Sequence, residues 1–177
     1  MDGARRIFLG LPVAADTAHE LHRWATRAVA ETRLRVVPAA NLHATLVFCG
    51  LLDDEQIDEV IAIVREETPV DLTWNLVPVD VRPLASVVAV VCDGNSSVVG
   101  VQNAIENRLV ADGLAEREHR RWLPHVTFAR GRRGERIRLP RVVPPPLVFG
   151  GDAIVVYESL LSPAGATYVA LDASPRR

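Results

Sequence analysis

The spacing of apolar positions changes character several times along this chain, and each change predicts an element. ARRIFLGLPV (4–13) is apolar almost without interruption up to Pro12. That reads as a strand buried on both faces. From Asp16 onward the period lengthens. Leu21, Trp24, Ala25, Ala28 and Val29 fall near i, i+3, i+4, i+7 and i+8, which predicts an amphipathic helix over 17–33 with Asp16 as its N-cap. A short strand at 35–38 and an apolar run at 42–49 follow. Asp53 opens a second helix to about residue 67, with Ile57, Val60, Ile61 and Val64 inward and Pro69 as its stop.

The second half repeats the alternation. Residues 70–83 and 85–93 read as two strands joined by a tight turn. Ser96 or Ser97 is placed to cap a third helix running to about Ala111, with Gly113 past its end. WLPHVTFAR (122–130) is another apolar strand, and a Gly/Arg loop follows it. Prolines keep 142–149 extended. Residues 153–161 and 166–173 form a closing hairpin around Ser162-Pro163-Ala164-Gly165. This order predicts an α+β fold built from a duplicated unit. Two intertwined lobes, related by a rough two-fold and forming one domain over 1–177, pack together with one strand from each at a shared cleft.

Composition narrows the classes without choosing among them. Of the 177 residues, 49% are hydrophobic and 24% charged, and the net charge is −2. Such a chain can bury a core, and it has no global attraction for nucleic acid, so a polyanion must be held by a local patch. Two cysteines, Cys49 and Cys92, lie in apolar runs with no CxxC pattern. They predict small buried side chains, not a disulfide or zinc site, and make a reducing cytoplasm the default location. No run reaches the length needed to span a membrane. A monomer is the default state.

Candidate chemistry enters with two histidines. NLHATLVF (41–48) and WLPHVTFAR (122–130) each carry His, one apolar residue and Thr within a strand: His43-Ala44-Thr45 and His125-Val126-Thr127. They lie about half the chain apart. Strand side chains alternate faces. His43 and Thr45 therefore share one face, with Ala44, Leu46 and Phe48 on the other. His125 and Thr127 likewise share a face opposite Val126 and Phe128. One such motif alone is usually structural. Two copies at this spacing suit phosphoester chemistry: a neutral imidazole takes a proton from the nucleophile, a protonated one gives a proton to the leaving oxygen, and hydroxyls donate to the phosphoryl oxygens. The residues alone do not say which histidine is acid and which is base.

These motifs, H-A-T-L at 43–46 and H-V-T-F at 125–128, resemble the two H-x-T-x motifs of the 2H phosphoesterase superfamily. The flanks resemble its RNA 2′,3′-cyclic phosphodiesterase branch, also called 2′-5′ RNA ligases: RIFLGLPV as opening strand, VVPAANLHATLVFCG and RRWLPHVTFARGRR around the motifs, and YESLLSPAGATYVAL as closing hairpin. The resemblance implies a bilobal α+β fold with antiparallel sheets around a central cleft and helices outside. It implies opening of a terminal 2′,3′-cyclic phosphate to a 2′-phosphate, with no metal or other cofactor, on RNA ends or nucleoside 2′,3′-cyclic phosphates. By family role His43 is the proton donor, His125 the proton acceptor, and Thr45 and Thr127 hold the phosphate. Phe128 stands where many relatives carry Leu. The alternative is a nucleotide- or RNA-end-binding module of the same fold with little turnover.

Strict alternation sets Arg130 opposite His125, yet the strand stops at Gly131, and a twist there would bring Arg130 to the phosphate. Arg120, Arg121, Arg132, Arg133, Arg136 and Arg138 bracket the second motif as a basic cluster. Phe8 and Trp122 could stack a base but read first as core. Tyr157 and Tyr168 read as packing residues, and His19 and His22 as surface histidines.

Overall fold

The computed structural model describes residues 3–132, 134, 136–139, 141–162 and 165–175. Arg133 of the basic cluster, and Pro163 and Ala164 of the last turn, lie outside the described residues. The elements run β1 (Arg5–Pro12), α1 (Ala15–Ala28), β2 (Arg35–Val36), a single 3₁₀ turn (Ala39–Asn41), β3 (His43–Leu52), α2 (Asp54–Glu67), β4 (Trp74–Leu84), β5 (Val87–Gly94), α3 (Ser96–Ala111), β6 (His125–Arg130), β7 (Phe149–Gly151), β8 (Ile154–Ser162) and β9 (Gly165–Ser174).

The fold is α+β, and the two halves share one curved antiparallel sheet in the order β7-β4-β5-β6-β3-β1-β8-β9, with β2 also on β6. The two motif strands, β3 and β6, meet at a single pair, Ala44 against Val126. Those are the middle residues of the two motifs. Around that point the order of elements repeats: β1-α1-β3 on one side and β5-α3-β6 on the other.

Each lobe's helix packs beneath the other lobe's histidine strand. Trp24 of α1 meets Phe128 of β6 edge-on, with centroids 5.0 Å apart. Gln102 of α3 donates its amide to the Leu46 carbonyl of β3 at 3.4 Å. The crossing buries the helix stripes against the sheet: Ala18, Leu21 and Ala25 on α1, and Val98, Val101, Ile105 and Leu109 on α3. Burial of this apolar surface is the main favourable term in holding the halves together.

Three boundaries differ from expectation. The first helix begins at Ala15 and ends at Ala28, short of residue 33. Thr32 closes it: its amide and hydroxyl both donate to the Val29 carbonyl, at 2.9 and 2.8 Å, a competition with helix propagation typical of Thr. Asn95, not Ser96 or Ser97, caps the third helix by accepting from the Val98 amide. Asp53 caps the second in a reciprocal capping box with Gln56.

Candidate active site

The two motifs build matching halves of one site, and the first matching feature is a hydrogen bond. His43 Nδ1 lies 2.8 Å from the Asn41 carbonyl, and His125 Nδ1 lies 2.8 Å from the Leu123 carbonyl. A carbonyl only accepts, so each Nδ1 carries a proton. Each neutral ring therefore holds its free lone pair on Nε2. The bond also fixes ring orientation.

The second matching feature is a β-bulge at the fourth motif position. On β3 the pairing with β1 passes from Thr45 (opposite Gly10) to Val47 (opposite Leu9), skipping Leu46. On β6 the pairing with β5 passes from Thr127 (opposite Ala89) to Ala129 (opposite Val88), skipping Phe128. An extra residue shifts the alternation by one. Leu46 and Val47, and Phe128 with Ala129, all lie in the core. The next residue on each strand, Phe48 or Arg130, is thereby brought to the face that carries the imidazole and hydroxyl. Strict alternation had put both on the apolar face, and the bulge corrects that for each.

The result is one cleft of about 250 Å³ that collects His43, Thr45, His125, Thr127 and Arg130, together with Phe48, Arg6, Phe8, Asn41, Ser159 and Tyr168. All five residues singled out from sequence are there. Phe48 was missed, and it is 65% exposed; the signal was available only to a reading that anticipated the bulge. Arg120, Arg121, Arg132, Arg136 and Arg138 do not line the cleft. Among the described residues no group of three or more His, Cys, Asp or Glu side chains is placed to hold a metal ion.

His43 sits against aromatic rings: Phe8 at 4.9 Å and Tyr168, edge-on, at 5.0 Å between centroids. Gly10 makes room for it, since a Cβ there would stand 3.3 Å from both the His43 and Tyr157 rings. Burial pushes the His43 imidazole down to about 4. The positive charges of Arg130 and His125 act the same way, against the carbonyl bond at Asn41. His43 is thus neutral at pH 7 in the free protein, and it senses both Arg130 and His125. Trp122 is a structural tie, donating its indole N–H to the Thr45 carbonyl at 2.9 Å. Phe8 is 3% exposed and forms the cleft floor. His19 and His22 do not line the cleft; their rings bond the Ala15 and Val37 carbonyls.

Comparison with known proteins gives the family and the fold. The profile of the 2'-5' RNA ligase superfamily matches residues 13–160. The chain belongs to that superfamily. Both bulged H-x-T-x strands lie inside the matched span. An RNA 2',3'-cyclic phosphodiesterase of Methanocaldococcus jannaschii is 22% identical over 171 residues, covering 92% of this chain and 96% of that protein. Among solved structures, a phosphoesterase superposes with a TM-score of 0.81 at 19% identity, covering 96% of this chain and 97% of that one. E. coli LigT complexed with 3'-AMP superposes at 0.80, also at 19% identity and over the same shares. These likenesses show a shared fold. No helix of the described residues is long and apolar enough to cross a membrane.

Proposed function

We propose that this protein is a metal-independent cyclic phosphodiesterase that opens a terminal 2′,3′-cyclic phosphate to a 2′-phosphate by paired histidine acid–base catalysis. The observation that carries this reading is the pair of motif strands meeting at Ala44 and Val126, which sets two Nδ1-anchored imidazoles and two hydroxyls around one cleft. Water attacks phosphorus and gives its proton to His125 Nε2. The P–O3′ bond breaks as His43 Nε2 protonates the departing oxygen. Thr45, Thr127 and Arg130 hold the non-bridging oxygens, whose negative charge is carried through the transition state. Phe48, an exposed aromatic in the wall of the cleft, offers a face for the base. The name of the M. jannaschii relative supports the same reaction.

Incubation with adenosine 2′,3′-cyclic phosphate in EDTA tests the proposal. Adenosine 2′-phosphate accumulates as product at a rate the chelator does not change. Tight binding without product instead favours the nucleotide-binding module, and a requirement for added metal removes the metal-independent chemistry.

The buried His43 sets a pH signature. Its imidazole is neutral above about 4 and charged below. A bound phosphodiester carries a negative charge that favours the imidazolium, so His43 gains its proton as the complex forms. The productive pair holds one proton, and kcat/KM reports the free protein. Below about pH 4 the His43 site is already filled in the free protein, which leaves no base on the pair. The acid limb of kcat/KM is therefore expected near pH 4, well below the ordinary histidine value of 6.5. Tyr168→Ser, which opens the pocket to water, moves that limb upward. A wild-type limb at or above 6.5 contradicts the account.

A further inference from the structure

Two consecutive arginines on β1 have opposite fates. Arg5 is neutralised: its guanidinium reaches Asp54 at 3.1 Å and Glu158 at 2.7 Å. Arg6 points to the other face and lines the cleft, exposed. Among the described residues it has no ion-pair or hydrogen-bond partner, and the nearby carboxylate of Glu158 is committed to Arg5. An unpaired cation inside a cleft proposed to hold one phosphate group is placed to take a second anion.

Its position says which anion. The pairing of β1 with β3 orders the cleft wall: Gly10 opposite Thr45, Phe8 opposite Phe48, Arg6 opposite Leu51. Arg6 is four residues from Gly10, about 13 Å along the strand at the usual rise, with the two phenylalanines at the midpoint. Along one line the wall thus offers a phosphoryl site, an aromatic site and a cation. Ser159 follows Glu158, which pairs with Ile7 across β1 and β8, and lines the cleft with Arg6; Tyr168, opposite Ser159 on β9, turns its ring to His43 and Phe8. That order matches a nucleoside with a phosphate on each side.

We propose that Arg6, with Ser159, forms a second phosphate subsite that takes the phosphate on the 5′ side of the reacting nucleoside. The inference rests on the cyclic phosphodiesterase reading. The recognised chemistry is a 5′ phosphate, which an RNA chain supplies as a diester and a 5′-phosphorylated mononucleotide supplies as a monoester.

The test compares kcat/KM for adenosine 2′,3′-cyclic phosphate, its 5′-phosphorylated form, and the dinucleotide ApA ending in a 2′,3′-cyclic phosphate. The dinucleotide is expected to exceed the unphosphorylated nucleotide by about tenfold, mostly through KM, as befits a partly exposed charge-assisted contact. Arg6→Gln brings that ratio toward one, and Arg6→Lys retains part of it. For the dinucleotide, Arg6→Gln also flattens the slope of log kcat/KM against log salt by about 0.7, the value for one phosphate contact on a single strand. A gain with the dinucleotide alone identifies the chain as the source; a gain with both phosphorylated substrates identifies any 5′ phosphate. Equal kcat/KM for all three, or a gain that survives Arg6→Gln, overturns the subsite. If the wild type turns over none of them, it is the catalytic reading that fails, and calorimetry decides the subsite separately. Adenosine 2′,5′-bisphosphate then binds about tenfold tighter than adenosine 2′-phosphate, a difference lost in Arg6→Gln; equal affinities reject it.

Discussion

Replacing His43 or His125 by asparagine lowers kcat on adenosine 2′,3′-cyclic phosphate by about 10²–10⁴-fold for each residue, the usual worth of a positioned proton transfer. Asparagine is chosen because its amide N–H can still donate to the carbonyl that Nδ1 bonds, Asn41 or Leu123. The anchor and most of the volume survive, and only the proton-carrying Nε2 is lost. KM changes far less than kcat, since neither ring supplies most of the binding charge. The double variant falls short of the product of the two single losses, because both protons move around one phosphorus and groups that act as a unit are not additive. Circular dichroism and thermal unfolding establish that each variant is folded. A folded His43→Asn or His125→Asn protein keeping more than about a tenth of wild-type kcat would remove that residue from the acid–base pair.

Phe128→Ala is expected to cost about 3–5 kcal/mol of stability, the range for deleting a fully buried aromatic side chain. Phe128 is wholly buried, and its ring packs edge-on against Trp24 of the opposite lobe's helix. A chain of this size loses roughly 2–4 °C of Tm per kcal/mol, so the shift should be evident in a thermal scan. The effect also reaches the cleft. Phe128 is the bulged residue that sets the phase of Arg130, and without its anchor the strand can return to regular pairing, turning Arg130 away. KM is then expected to rise along with the loss of stability. Phe128→Leu, which keeps much of the volume and puts there the residue that the first motif carries as Leu46, costs much less. Urea denaturation of the two variants makes the comparison. A loss below about 1 kcal/mol for Phe128→Ala would mean that the interlobe contact contributes little.

The order of elements was legible because hydrophobic period is a local property. The continuous run at 4–13, the helical stripe of α1 and the strands at 42–49 and 122–130 all formed, with ends that moved, as at the close of α1, where the Thr32 side chain outcompetes the pattern. The two histidines and two threonines were legible for a different reason: a repeated polar pair inside apolar strands is costly to bury without partners. The resemblance then named the chemistry. Arg130 was legible as a candidate but not as a cleft residue, because alternation argued against it.

What the sequence determined by itself is which residues carry chemistry and which strands hold them, since side-chain type and strand period depend on near neighbours. What only the tertiary structure decided is phase and partnership. The bulges at Leu46 and Phe128 exist because each freed backbone carbonyl finds a donor from a distant segment: Gln102 for Leu46, and the Val37 amide for Phe128. The low pKa of His43 likewise comes from rings on three other strands. Those partners are far away in sequence and meet only when the sheet closes across Ala44 and Val126. A strand read alone therefore predicts Phe48 and Arg130 on the wrong face, and the folded sheet turns both into the cleft.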